Sequence, residues 1–303
     1  MTRQRLPDAC QDPTQSTGVV RLGTWNLDTA QPDMHRPLQA NWLRQHADVW
    51  MLTEVHEVAL EGLGSHVVSD AIEGMARRYW SGIASLWPLH PVVSGHPTLV
   101  LARVRLPGLG RVLVASSVLP WRAAGKYWPS GDGDDLQGRY ASVLSRHQAA
   151  ILEAREDDLV VWGGDFNQTL SGTEHVGSSS GRRTLGAAFQ SLDLRVLTED
   201  APSTARNAHP IDHVAVPHHV GPVSARCILP TARDRALSDH PAYLAEVGPR
   251  ATGCHHQSAE SPQDVQPGPT LVNTPQRISA GQPTFTNDCR HLNAAQADFP
   301  WYF

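Results

Sequence analysis

Leu159-Val160-Val161-Trp162-Gly163-Gly164-Asp165-Phe166-Asn167 is the stretch on which the reading of this chain turns. Four consecutive apolar residues with no polar alternation predict a strand buried on both faces. Two glycines interrupt it, and an acid and an amide two residues apart follow at its end. Read plainly, Gly163 to Asn167 is a turn closing a strand; read chemically, Asp165 and Asn167 point to one side and share one polar site.

The arrangement recurs on both sides of this stretch. Residues 19–25 read as a strand leading to Asn26, inside Gly23-Thr24-Trp25-Asn26, and residues 48–53 as a buried strand ending at Thr53-Glu54. Between them Leu38, Trp42 and Leu43 repeat at helical spacing over 38–46, with Pro37 placed to start the helix. Strand, helix, strand puts Asn26 and Glu54 at matching ends. Downstream, Ile211-Asp212-His213 and Ser238-Asp239-His240 mark two more strand ends. Further strands are predicted at 83–86, 98–104, 111–118, 194–197, 211–216, 223–229 and 241–247, and helices at 139–154 and 185–192. Strands 98–104 and 111–118, joined by Pro107-Gly108-Leu109-Gly110, read as a hairpin near a sheet centre. Strands dominate and helices flank them, which predicts an α/β (α+β) chain built as a four-layer, two-sheet β-sandwich with helices on its outer faces.

Around this domain, expected over 19–247, residues 1–18 read as a flexible arm and 248–303 as a mostly disordered tail rich in Gly, Pro, Gln, Ser, Asn and Thr. The tail ends in the aromatic run Asp298 to Phe303. A length of 303 residues and 40% apolar content suit a packed globular domain. The net charge of -5 gives no general bias toward polyanions, although a local basic rim is compatible with it. Cys10, Cys227, Cys254 and Cys289 form no CxxC pair, so neither a disulfide framework nor a thiolate metal site is expected. His209, His213, His218, His219, Cys254-His255-His256, Cys289 and His291 match no zinc spacing and read as solvated surface groups. The first 18 residues hold no apolar signal segment and no run approaches ~20 apolar residues, which predicts a cytoplasmic protein without a membrane-spanning segment; a monomer is expected.

In order and spacing these five motifs resemble the endonuclease/exonuclease/phosphatase superfamily, roughly over residues 19–247. The resemblance implies a deoxyribonuclease I-like fold and metal-dependent hydrolysis of a phosphate mono- or diester by activated water, without a covalent enzyme intermediate. It implies that Glu54 is the principal ligand of a Mg²⁺ or Mn²⁺ ion, with Asn26 against the metal or its water and Asp239 as a further contact. The residues agree: an ionised Glu54 at the end of an apolar strand needs a metal or, in the plainer reading, an arginine, and hard oxygen ligands suit Mg²⁺ or Mn²⁺. Asp28 matches an acid found two positions after the asparagine in some members and reads equally as a turn aspartate. Asp165 would prepare the attacking water and Asn167 bind a phosphoryl oxygen, while Asp212 and His240 would form a dyad in which His240 is base or phosphate ligand.

One position departs from that pattern. Val118, in Ser116-Ser117-Val118-Leu119-Pro120-Trp121, stands where many members carry a histidine. Compensation is expected from Ser116 or Ser117 turning inward, or from Arg122, Lys126 and Tyr127 in the next loop, a stretch rich in tryptophan that could stack a base or cap the core. Nucleic acid therefore stays among the phosphoester partners, with a DNA endonuclease or repair nuclease as the rival enzyme. A catalytically weak binding module recruiting a partner through the tail is the rival outside enzymology.

Overall fold

The computed structural model describes residues 18–122, 124, 128–129, 135–172, 176–202, 209–249 and 285–286. In chain order its strands are β1 (Val20–Asn26), β2 (Val49–His56), β3 (Ser65–Val68), β4 (Arg78–Ser85), β5 (His90–Val92), β6 (Leu99–Leu106), β7 (Gly110–Val118), β8 (Leu159–Asp165), β9 (Leu194–Val196), β10 (Asp212–Pro217), β11 (Val220–Ile228), β12 (Thr231–Ala232), β13 (Arg235–Ala236), β14 (Ala242–Pro249) and β15 (Phe285–Thr286). Helices α1 (Arg36–His46), α2 (Leu136–Ala154) and α3 (Ser179–Ser191) complete it. One sheet has the order β15-β11-β14-β1-β2-β4-β3, the other β5-β6-β7-β8-β10-β9, and β12 and β13 pair apart.

Side-chain alternation builds the layers. Along β1, Val20 and Leu22 face the second sheet while Trp25 joins the core under α1; along β2, Val49 and Met51 face inward while Trp50 and Leu52 face α1. The second sheet repeats this: Val112, Val114 and Val161 meet the first sheet, and Leu113, Val160 and Trp162 pack beneath α2 and α3. Helix, sheet, sheet, helix is the expected four-layer sandwich.

Register delivers the polar motifs to one rim. β1 and β2 run parallel with Asn26 beside Thr53; β8 runs parallel to β7 and antiparallel to β10, with Asp165 opposite both Val118 and Asp212. β14 returns antiparallel to β1 with Tyr243 opposite Thr24, so His240 lies at the same end. Two glycines make this packing feasible. A side chain at Gly23 would strike the Trp50 ring at 2.3 Å, and one at Gly164 would strike the Ser117 carbonyl at 2.1 Å from a backbone held at φ +132.

Element ends differ from the sequence expectation for local reasons. The Asp135 carboxylate accepts the Gly138 N–H at 2.8 Å and the Ser178 hydroxyl accepts the Gly181 N–H at 3.0 Å, and these caps start α2 and α3 before their apolar stripes begin. β2 does not end at Glu54; that residue takes φ +50 inside the strand, which resumes pairing at Val55 and His56 opposite Tyr79 and Arg78. β3 and β5 were not anticipated. In the tail, Phe285 and Thr286 pair in parallel with Ala225 and Arg226; the arm at 1–17 and the remainder of the tail beyond Pro249 lie outside the described residues. Among the described residues, no helix is long and apolar enough to cross a membrane.

Candidate active site

The rim is organised around Asn26. Its amide nitrogen donates to Asp165 Oδ2 at 3.0 Å across the sheet interface and to Glu54 Oε1 at 3.1 Å on the neighbouring strand, and its Oδ1 accepts the Asp28 N–H at 2.9 Å. Glu54 is held further by Thr29, whose N–H and hydroxyl reach Oε2 at 3.0 and 3.1 Å. The loop presenting Thr29 is fixed from below by Arg36. This fully buried guanidinium donates to the carbonyls of Leu27, Asp28, Thr29 and Gln31 at 2.8–3.1 Å, and among the described residues no carboxylate pairs with it. Gln39 adds bonds to the carbonyls of Leu27 and Leu237.

The opposite half of the rim holds the second acidic group. Asp165 Oδ1 accepts the Asn167 N–H at 2.9 Å, and the Asn167 side-chain nitrogen donates to the Leu119 carbonyl at 3.0 Å, so one amide hydrogen is committed to the backbone and the other is left for a further acceptor. Asp212 Oδ2 lies 2.7 Å from His240 Nδ1. Oxygens of Asp165 and Asp212 and a ring nitrogen of His240 come within 4.8 Å of one another. The backbone of His240 is anchored by Ser238, whose hydroxyl accepts its N–H at 3.1 Å and donates to Asn26 O at 2.6 Å, and by Trp25 Nε1, which donates to the His240 carbonyl at 3.0 Å.

Crowded carboxylates shape the electrostatics. Burial and then the charge of Asp212 push Asp165 up to about 7, against the lowering effect of His240 and its own hydrogen bonds. Burial alone would lower His240, but Asp212, with Asp239 and Asp165, holds the imidazole well above its ordinary value. Asp28 is raised by burial and by Asp239 and Glu54. Glu54 and Asp165 thus lie on either side of Asn26, with the charges of Glu54 and Asp239 acting on Asp28 and with Asp212 beside Asp165. The second oxygen of Asp212 is buried and has no hydrogen-bond partner among the described residues. An orphaned Asp212 oxygen beside Asp165, with Glu54 and Asp28 across Asn26, makes a set of hard oxygen donors that suits a divalent cation, which would offset the repulsion among them.

Several expectations are redirected by this geometry. Ser116 and Ser117 do not replace the missing histidine: Ser116 donates to Leu52 O at 2.9 Å between the sheets, and Ser117 accepts from Trp162 Nε1 at 2.7 Å and meets His147 at 3.1 Å. Val118 is buried in the core beneath the helices. Arg122 is exposed three residues beyond Leu119, whereas Lys126 and Tyr127 lie outside the described residues. Asp239 is exposed, and Asp28 is both turn residue and rim acid, its Oδ1 accepting the Ala30 N–H at 2.9 Å. His213 is no surface group; it is buried, with Nε2 against the Gln168 carbonyl at 2.9 Å, while His218 and His219 are exposed. Thr29, Arg36 and Ser238 escaped the sequence reading as site residues. So did Tyr140, which donates to Phe166 O at 3.1 Å. Only Ser238, inside a motif already marked, carried a usable signal.

Comparison with known proteins places the stretch that builds this rim within one family. The model of the Endonuclease/Exonuclease/phosphatase family matches residues 23–240, from the first motif to the last. The chain belongs to that family. Its members are hydrolases acting on phosphoester bonds. A humanized D. rerio TDP2 carrying 14 mutations is 16% identical, with 77% of this chain and all (100%) of that one covered at a TM-score of 0.53. An endonuclease/exonuclease/phosphatase protein from Beutenbergia cavernae is 17% identical over 76% of this chain and 72% of that one, at a TM-score of 0.50. The endonuclease domain of TRAS1, a telomere-specific non-LTR retrotransposon, is 12% identical over 77% and 99%, at 0.50. At these identities the likeness is one of fold. No curated protein matches the sequence.

Proposed function

We propose that this family member is a Mg²⁺- or Mn²⁺-dependent phosphodiesterase whose catalytic domain spans 19–247. The observation that carries the reading is the convergence of Asn26, Glu54, Asp165, Asp212 and His240 on one rim, with one Asp212 oxygen left without a partner. Glu54, Asn26 and Asp239 would hold the ion, which supplies charge neutralisation at the scissile phosphate. His240, kept protonated by Asp212, donates a hydrogen bond to a phosphoryl oxygen as negative charge grows there. Asp165, with a pKa near 7, takes the proton of the attacking water, because a base works best when its pKa lies near the working pH. The free amide hydrogen of Asn167 and the exposed Arg122 add phosphate contacts. This division of roles favours Asp165 over His240 as the base.

A nucleic-acid diester is the substrate reading with specific support: another D. rerio TDP2 of this fold, 15% identical, is solved with a single-strand DNA product. The test compares bis(p-nitrophenyl) phosphate, p-nitrophenyl phosphate and an oligonucleotide in Mg²⁺, Mn²⁺ or EDTA, for the natural chain and for Asp165→Asn and His240→Ala. Diester hydrolysis that needs the metal and falls in both variants is expected. Turnover of no ester, or turnover indifferent to the variants, overturns the proposal.

A further inference from the structure

The loop that covers Glu54 continues past the rim to a second place where hydrogen-bond donors converge. His56 follows Glu54 by two residues on β2 and lies directly opposite Arg78 on β4. The Val58 N–H donates to His56 Nδ1 at 3.2 Å, so in the neutral ring the proton sits on Nε2. That Nε2 lies 3.9 Å from Asp33 Oδ1, and Arg78 approaches the same oxygen at 4.0 Å. Both separations are longer than hydrogen bonds. The Arg78 guanidinium makes no hydrogen bond among the described residues, although the side chain is only 29% exposed, while that of Asp33 is 80% exposed. Two donors on paired strands thus converge on an oxyanion position that the exposed Asp33 carboxylate fills poorly. Arg36 senses Asp28 and Glu54 together with Asp33 and Arg78, so this position borders the catalytic rim on its Glu54 side. Arg77, by contrast, is committed to Glu57 at 2.8 Å.

We propose that His56 and Arg78 form a second anion subsite, which takes a phosphate of the substrate other than the one cleaved and from which that phosphate displaces the Asp33 carboxylate. The inference rests on the phosphodiesterase reading and narrows it to substrates bearing at least two phosphates. A phosphate oxygen accepts from Nε2–H and from the planar guanidinium together, a match that a carboxylate tethered at 3.9–4.0 Å does not achieve. Asp33 then acts as a built-in competitor that keeps the subsite from holding stray anions.

The test measures binding in EDTA, where no turnover occurs, of fluorescein-labelled octathymidylate by anisotropy and of inorganic tripolyphosphate by competition. Arg78→Gln should weaken octathymidylate binding about tenfold and lower the slope of log affinity against log salt by about one. Asp33→Asn should strengthen binding roughly threefold by removing the competing charge. Arg105→Gln, which deletes an exposed charge on β6, controls for net charge and should leave binding as it is. Responses with both probes assign the subsite to phosphate as such, and a response with one alone assigns it to that source; each supports the proposal. Arg78→Gln and Asp33→Asn binding both probes like the natural chain, or Arg105→Gln weakening them as much as Arg78→Gln, overturns it. Such a failure leaves the hydrolytic reading standing, since that falls only if no ester is cleaved.

Discussion

His240 is largely covered, with 14% of its side chain exposed, and His147 is fully buried, yet the fold drives them in opposite directions. His240 faces the Asp212 carboxylate at 2.7 Å and is held well above its ordinary pKa. Among the described residues His147 faces His96 Nδ1 at 3.1 Å, Thr98 Oγ1 at 3.2 Å and Ser117 Oγ at 3.1 Å, none of them a carboxylate, and burial, with His96, pushes it well below. Burial penalises the charged imidazole in each place; a buried carboxylate reverses the outcome in one of them. The difference separates a histidine equipped to stabilise developing phosphate charge from one that satisfies polar atoms inside a core.

The sharpest way to break this comparison is to exchange the two by mutation. His240→Ala should lower kcat/KM on a diester by about a thousandfold while the chain still folds cooperatively. His147→Gln should leave turnover within about threefold and cost about 2 kcal/mol of stability, since it disrupts a buried hydrogen-bond network. Steady-state rates beside urea unfolding decide it. An inactive but fully folded His147→Gln would mean that the core network reaches the chemistry, and the contrast would fail.

Acid should expose the same difference as a pH dependence of stability. His213 resembles His147: burial lowers it to about 4, against the weaker opposing effects of the Gln168 carbonyl and Asp212. Between pH 6.5, the ordinary histidine value, and about 4 the unfolded chain binds a proton that the folded chain refuses. Its contribution, about 3 kcal/mol, is present above that window and lost as pH falls through it. His240, raised rather than lowered, has the opposite sign: its contribution is full below 6.5 and lost as pH rises through its folded value. In EDTA, His213→Gln should therefore flatten the stability profile between pH 6.5 and about 4, and His240→Ala should remove a fall in stability that the natural chain shows above pH 6.5. Two parallel profiles would sink the assignment.

Asp165 supplies a third arm. Its folded pKa of about 7 lies above the ordinary 3.8, so stability falls as pH rises from 3.8 to about 7 and the penalty is full above 7. Asp165→Asn should be inactive yet more stable than the natural chain at pH 8, by about 2 kcal/mol, because it removes a carboxylate that burial and Asp212 make costly. Equal midpoints at pH 8 in metal-free buffer would place the penalty elsewhere.

What the sequence made legible follows the same physical division. Strand ends show because an unbroken apolar run such as Leu159 to Trp162 has few alternatives, and because an acid or amide directly after it must go to a rim. Asn26 and Asp165 end β1 and β8, Asp212 opens β10, His240 stands just before β14, and Glu54 alone lies inside a strand; the fold brings the five together. Short edge strands do not show: β3 and β5 carry only four and three residues and are largely open to solvent, so no periodicity develops. Nor do long-range polar pairs. His96 and His147 lie 51 residues apart, and His213 reads as a surface histidine until β10 is seen packed between β8 and β9. Arg36 is invisible for another reason, since its partners are the carbonyls of a loop whose course no residue pattern specifies.

Thr29 tests the weaker side of the comparison, in which neutral donors rather than charges fix a functional group. Its N–H and hydroxyl both reach Glu54 Oε2, and they orient the proposed metal ligand as the neutral network orients His147. Thr29→Val keeps the backbone donor and the side-chain shape and deletes only the hydroxyl. Mg²⁺ affinity measured by titration calorimetry should weaken about tenfold, the usual cost of losing one hydrogen bond behind a ligand, while kcat at saturating metal stays within about twofold. Thr29→Ser should restore the affinity. A fall in kcat that excess Mg²⁺ does not repair would show that the hydroxyl acts on the reaction itself, and that neutral hydrogen bonding at this rim does more than hold a carboxylate in place.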